Sequence, residues 1–115
     1  MPESIRGDIE IHDDVLAEVA GFAALECYGI VGMASPSLRD GVAQLLSREK
    51  LRKGVAIHSH GDSVKVDLFV VIEHGTNLSQ VSQNLADRVR YVLQSVGGVV
   101  VDDIDVHVQG IKVRK

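Results

Sequence analysis

The segment that most constrains the fold is residues 64–72, where apolar side chains occupy every second position. The residues of this phase are Val64, Val66, Leu68, Val70 and Ile72. A period of two is that of a β-strand, because successive side chains point to opposite faces. The other phase is polar at both ends but carries Phe69 and Val71 in its middle. Apolar residues on both faces are typical of a central strand, or of one whose second face is covered by another chain.

A shorter strand precedes this one and is joined to it by a tight turn. Apolar residues alternate with less apolar ones from residue 55, and Gly61-Asp62 follows. Glycine beside aspartate is typical of the short turns that connect antiparallel strands. The sequence therefore predicts a β-hairpin that begins at Gly54.

The N-terminal third of the chain predicts a strand, a helix and a second strand. Residues 7–12 alternate between apolar and polar side chains, which indicates a half-buried strand. Asp13 or Asp14 then provides an N-cap for a helix over residues 14–28. Its predicted buried stripe comprises Val15, Val19 and Phe22, with Leu16, Ala20 and Ala23 beside it. A short apolar segment over residues 30–33 predicts a strand.

A second, shorter helix is predicted to begin at Ser37. Its apolar face comprises Leu38, Val42, Leu45 and Leu46. The stretch 47–53 is strongly charged, and we interpret it as a solvated helix end and connector.

The longest helix and a final strand complete the chain. Asn77 is a typical N-cap residue, and Gly97-Gly98 ends the helix. The predicted buried stripe comprises Leu78, Val81, Leu85, Val89, Val92 and Val96. A strand begins at about Val99, and a change of phase near Gly110 predicts a β-bulge there.

These elements predict an α+β protein in the order β-α-β-α-β-β-α-β. The economical architecture is a single two-layer domain over residues 1–115, with a mixed sheet that contains the antiparallel hairpin and helices mainly on one face. Hydrophobic residues make up 45% of the chain but aromatic residues only 3%, so the core must consist of Val, Ile, Leu and Ala.

Charge and cysteine content indicate a soluble, cytoplasmic protein. The formal net charge is −4, which argues against a general binder of phosphate backbones. The one cysteine, Cys27, has no partner for an internal disulfide, and a reducing compartment is the simplest interpretation. The N-terminus lacks the basic and apolar regions of a signal peptide, and no apolar run reaches the ~20 residues needed to cross a bilayer.

Several spaced segments together resemble the bacterial alkaline-shock family, also called the Gls-type general stress family, and its short YloU-like members above all. They are residues 7–11 (GDIEI), 23–33 (AALECYGIVGM), 38–41 (LRDG), 75–77 (GTN) and 106–113 (VHVQGIKV). The resemblance implies an α+β fold, a non-enzymatic role and an association with cell-envelope stress or homeostasis. It also implies a cytoplasmic location near the membrane, with peripheral association through a partner, and suggests a dihydroxyacetone-kinase-like protein of the type that phosphorylates fatty acids as that partner.

The residues themselves present few candidates for chemistry. His58 and His60 are two apart on a strand, so they share a face and form a candidate pair of transition-metal ligands if His107 or His74 is near. Solvent-facing strand residues are the alternative interpretation. No catalytic residue and no cofactor site is predicted, because Cys27 has no base near it in the sequence.

The candidate interaction surface combines apolar and basic residues: Phe69, Val71, Arg48, Lys50, Arg52 and Lys53. Phe69 and Val71 require a cover that a partner or a second copy provides, unless the core is thicker than drawn. We therefore expect a non-catalytic interaction or scaffold protein that binds a protein partner, itself or both. The alternatives are an RNA-binding module that uses the basic stretch, although no nucleic acid is expected, and a metal or ligand sensor that uses the surface histidines.

Overall fold

The computed structural model describes residues 2–37 and 44–113, with side chains from Asp13 onward. Within these residues the chain forms two α-helices, one 3₁₀ helix and four strands. The helices are α1 (Pro2–Leu25) and α2 (Leu78–Gly97), and the 3₁₀ helix spans Arg48–Gly54. The strands are β1 (Ile30–Met33), β2 (Val55–His60), β3 (Ser63–Glu73) and β4 (Val100–Lys112).

The long strand β3 is the centre of the sheet. β4 lies parallel to β3 along its whole length. On the other side of β3, β2 pairs with residues 63–68 and β1 with residues 70–72, both antiparallel. The predicted hairpin and the mixed sheet are therefore confirmed.

One face of β3 forms the floor of the core, and both helices cover it. The alternating residues from Val64 to Ile72 are at most 4% exposed. They share one apolar cluster with Leu16 and Ala20 of α1 and with Leu85 of α2. Burying a leucine side chain stabilises a fold by about 1.5–3 kcal/mol, so these contacts hold the helices on the sheet. The predicted α+β fold with two layers is confirmed.

The predicted N-terminal strand is wrong, because residues 7–12 lie within α1. The alternation there is too short to separate the two periods, since Ile5 and Ile9 are also spaced as one face of a helix requires. Asp13 and Asp14, predicted as N-caps, are therefore interior residues of α1. Within the described ranges the order of elements is α-β-β-β-α-β, with the 3₁₀ helix between β1 and β2.

The buried stripe of α1 is also rotated from the predicted one. Ala20 is fully buried, whereas Val15 and Phe22 are 45% and 43% exposed. The 3₁₀ helix packs so closely on α1 that a Cβ atom on Gly21 would lie 3.0 Å from the Cβ atom of Leu51. The lack of a side chain at Gly21 permits this approach.

The predicted short helix over residues 37–46 is wrong where its residues are described. Residues 38–43 lie outside the described residues. Leu45 forms an antiparallel bridge with Ala34, and the Leu46 N–H donates a 2.8 Å hydrogen bond to the carbonyl of the last residue of β1. Pairing with β1 satisfies these backbone groups in an extended conformation, which periodicity does not reveal.

Helix α2 begins and ends as predicted. The Asn77 side chain accepts a 3.0 Å hydrogen bond from the backbone N–H of Gln80. Gly98 ends the helix in the left-handed region, at φ 67°, which glycine adopts without steric cost. The predicted buried stripe is wrong at both ends, because Leu78 is 41% and Val96 69% exposed, and Leu93 is buried instead.

The predicted β-bulge near Gly110 is confirmed by the register of β4. Val70 and Val71 of β3 pair with Val108 and Gly110, which leaves Gln109 as the extra residue. The bulge resets the phase of β4, so that apolar side chains on either side of it belong to different alternations.

A leucine pair on α2 tests the packing of this helix in the core. Leu85 is fully buried and Leu78 is 41% exposed on the same helix. We expect Leu85→Ala to lower the free energy of unfolding by about 2–5 kcal/mol, because it leaves a cavity in the core. Leu78→Ala is the matched control and should cost less than about 1 kcal/mol. Urea unfolding measures both, and equal costs would contradict the packing of α2.

Candidate functional site

Three neighbouring strands bring polar side chains together on the face of the sheet opposite the helices, which we call the outer face. β2 and β4 flank β3, and side chains alternate along each strand. Asp67 of β3 pairs with Asp105 of β4, and the next outward pair is Phe69 with His107. His58 of β2 lies diagonally across from Asp67. The register therefore places two histidines on opposite sides of one carboxylate.

Asp67 accepts hydrogen bonds from both of these histidines. His58 Nε2 lies 3.1 Å from Oδ2 of Asp67, and His107 Nε2 lies 3.1 Å from Oδ1. Because an ionised carboxylate only accepts, each imidazole carries a proton on Nε2. We call His58, Asp67 and His107 the His–Asp–His cluster. The Asp67 side chain is only 17% exposed, whereas those of His58 and His107 are 52% and 44% exposed.

The hydrogen bond from His107 is the main reason that the pKa of the Asp67 carboxyl is lowered from its ordinary value of 3.8. Partial burial of the carboxyl opposes this shift, and the hydrogen bond from His58 and the positive charge of Lys65 add to it. The Lys65 ammonium also pairs with Asp105 at 3.4 Å, beside the cluster. Asp67 is therefore ionised and firmly held at neutral pH.

The predicted histidine pair is only partly reproduced. His58 shares the Asp67 carboxylate with His107 of β4. His60 is exposed and does not belong to the cluster. His12, the last residue of the predicted strand over residues 7–12, lies in α1. Asp67 was missed as a site residue because its role depends on the parallel pairing of β3 with β4, which no local pattern encodes.

The two apolar residues of β3 that were predicted to need a cover, Phe69 and Val71, both contact other residues of the chain. Val71 is fully buried, in a small cluster with Ala34 and Val31. Phe69 stacks on the ring of His107, with centroids 4.6 Å apart and planes 12° from parallel. For Val71 the thicker core is thus the correct explanation, and this residue is not accessible to a partner. Phe69 is half-buried, and its role in binding stays a prediction.

The predicted basic surface is divided between two environments. Arg48, Lys50, Arg52 and Lys53 are all exposed, on a 3₁₀ helix anchored by the buried Leu51. Arg52 and Lys53 line a cavity of about 300 Å³ together with Asp13 and Asp14 of α1. These carboxylates reduce the positive potential that an anionic polymer or lipid would require.

Arg48 contacts Phe22, which lines a groove on the helical side of the protein. Its guanidinium carbon lies 5.4 Å from the centroid of the Phe22 ring, within the range of a cation–π contact. The groove between α1 and α2, which we call the helix groove, has a volume of about 570 Å³. Most of its lining is apolar and is provided by Val19, Phe22, Ala23, Tyr91, Val92 and Val96. The polar residues of the lining are Glu26, Arg88 and Ser95.

Large apolar side chains are unusually exposed around the helix groove. Phe22, Tyr91 and Val96 are 43%, 64% and 69% exposed. Arg88 of α2 pairs with Glu26 of α1 at 3.3 Å on the surface. Sequence reasoning missed the groove because it assigned Phe22 and Val96 to buried stripes. The sequence does contain an indication of the groove, because both helices carry more apolar residues than one buried stripe requires.

Cys27 is half-buried beside the core, and its thiol donates a weak hydrogen bond to the Ala23 carbonyl at 3.5 Å. Burial raises the pKa of the Cys27 thiol, the nearby Arg88 charge lowers it, and Glu26 raises it further. The raised pKa disfavours the nucleophilic thiolate.

Comparison with known families gives a match over nearly the whole chain. The model of the alkaline-shock protein family, which is described as having a cell envelope-related function, matches residues 1–113. Among the described residues, neither α-helix combines the length and the apolar character needed to span a membrane. No solved structure is significantly similar to the chain.

Curated relatives cover the chain in the same way. YloU of Bacillus subtilis, described as uncharacterized, is 38% identical over 93% of this chain and 90% of its own length. Spy1614 of Streptococcus pyogenes, also described as uncharacterized, is 43% identical over 93% of this chain and 89% of its own length. A protein of Streptococcus pyogenes described as a stress response regulator gls24 homolog is 23% identical over 100% of this chain and 64% of its own length.

The titration of Asp67 tests the His–Asp–His cluster. We expect its carboxyl to titrate below 3.8, and His107→Ala to raise its pKa by removing the largest cause of the shift. Because the folded-state pKa is the lower one, the contribution of Asp67 to stability is present above 3.8 and is lost as the pH falls through the folded-state pKa. Carboxyl-carbon NMR measures the titration, with His60→Ala as the control. An Asp67 pKa that is identical in wild type and His107→Ala would contradict the cluster.

Proposed function

Because the chain belongs to the alkaline-shock protein family, whose function is described as cell envelope-related, we propose that it is a non-catalytic interaction protein of the cell envelope. In this role it binds a protein partner from the cytoplasmic side and reaches the membrane surface through that partner. The observation that carries the proposal is the exposed apolar lining of the helix groove.

The helix groove has the composition of a protein-binding surface. Phe22 and Tyr91 face it from different helices, with Val96 beside them, and all three are more than 40% exposed. Exposed apolar residues that are contiguous rather than scattered mark interaction sites. Aromatic residues and arginine are enriched at the centres of protein interfaces, and Arg48 lies against the Phe22 ring.

The occupant that fits this groove is an amphipathic helix of another protein. A groove between two packed helices accepts the apolar face of a third helix, which places anchor residues at successive turns. None of the ion pairs formed among the described residues includes Arg48, so an acidic residue at the edge of the partner helix would complement it. A dihydroxyacetone-kinase-like protein, which the family resemblance suggests as a partner, is the first to test.

Charge substitutions in the groove test the proposal. Tyr91→Asp and Val96→Asp place a carboxylate in the apolar lining, and each should weaken binding of the kinase-like protein by about 2 kcal/mol or more. Ile111→Asp is the matched control, because Ile111 is 50% exposed on β4, outside the groove lining. Light scattering coupled to size exclusion measures assembly, and calorimetry measures affinity.

The same experiment separates the possible occupants. If the chain self-associates and Tyr91→Asp dissociates it, the occupant is a second copy rather than a different protein. If all three variants and the wild type assemble equally, or none of them assembles, the helix groove is not the binding surface and the proposal is wrong.

A further inference from the structure

We propose that the outer face of the sheet binds a divalent transition-metal ion, with Zn²⁺ as the test case. The ligands are Asp67, Asp105 and His107, and His58, on the other side of the Asp67 carboxylate, is the fourth. This site is separate from the helix groove, because it lies on the other side of the sheet, and it does not depend on the proposed interaction function.

Three of the donor groups, those of Asp67, Asp105 and His107, lie close enough together to share one ion. Each histidine Nε2 lies 3.1 Å from an oxygen of Asp67. Zn²⁺ with bonds of about 2.0–2.2 Å holds tetrahedral ligand atoms about 3.3–3.6 Å apart. Ligand atoms of Asp67, Asp105 and His107 also lie within 4.8 Å of one another. His58 Nε2 is bonded to the other oxygen of Asp67, Oδ2, so rotation of this exposed side chain is what brings the fourth ligand to the ion.

The chemistry of the donors selects the class of metal. Two imidazoles and two carboxylates suit Zn²⁺, Co²⁺ and similar ions, whereas Ca²⁺ and Mg²⁺ prefer oxygen ligands alone. The metal bonds to Nε2 of each ligand histidine, and the proton that the neutral imidazole carried on that nitrogen is carried on Nδ1 instead. Two carboxylates supply the charge that balances the ion.

The sheet fixes the positions of the ligand residues. His58, Asp67 and His107 come from three adjacent strands, and strands fix side-chain positions more firmly than loops do. The stack of Phe69 on His107 restricts rotation of that imidazole. In the metal-free protein the carboxylates are already satisfied, because Lys65 pairs with Asp105 and the histidines donate to Asp67. Metal binding therefore exchanges Lys65 for the ion at Asp105.

Zn²⁺ and Co²⁺ titrations of the purified full chain test this site. We expect one ion per chain, a rise in the melting temperature with Zn²⁺, and the visible absorption of tetrahedral Co²⁺. Asp67→Asn and His107→Gln should each weaken binding by more than the roughly 10-fold that loss of an outer-shell group typically causes. Their melting curves without metal establish that they fold, and His58→Gln provides a third ligand variant.

His60→Gln is the matched control, because His60 is an exposed histidine two residues from His58 on the same strand. Its affinity for Zn²⁺ should equal that of the wild type. The proposal is overturned if Zn²⁺ fails to bind with one-to-one stoichiometry. It is equally overturned if His60→Gln loses as much affinity as His107→Gln, because binding would then be the property of any surface histidine.

Discussion

Pairing with β3 organises this protein. Within residues 2–37 and 44–113, each of the other strands pairs with β3. One phase of β3 carries the apolar residues on which both helices pack, and the other phase carries Asp67 and Phe69 on the outer face. Because the side chains of a strand alternate strictly, a shift of one residue in β3 would exchange the two faces. The core and the His–Asp–His cluster therefore depend on the same register.

The parts of the fold that the sequence predicts are those with local causes. The hairpin follows from Gly61-Asp62, and the limits of α2 follow from Asn77 and Gly98. The phase change along β4 reveals the bulge at Gly110, because an added residue shifts every later side chain to the other face. In each case the residues that determine the structure are neighbours in the chain.

The parts that escape prediction depend on contacts between distant segments. The apolar spacing around residues 7–12 is compatible with a strand and with a helix, so this pattern alone does not decide between them. Leu45 is extended because it pairs with Ala34. The His–Asp–His cluster requires the parallel register of β4 on β3, across a separation of 40 residues between Asp67 and His107. A single sequence contains no information on such pairing beyond the hairpin.

The two faces of the protein offer different chemistry. The helical side exposes aromatic and valine side chains around a groove, whereas the outer face of the sheet presents imidazoles and carboxylates. These two surfaces lie on opposite sides of the sheet, so a molecule bound to one of them would leave the other exposed. Phe69 stacks on His107 at the outer face, and its expected contact with a partner stays a prediction.

Both faces of the sheet depend on the register of β3 against β4. A nuclear Overhauser spectrum of the labelled protein measures this register directly. We expect cross-peaks between the ring protons of Phe69 and His107, and between the His58 ring and the Asp67 β-protons. Cross-peaks from the Phe69 ring to Val106 or Val108, with none to His107, would mean that β4 is shifted by one residue. The cluster would then not form, and the division of the protein into an apolar and a polar face would be wrong.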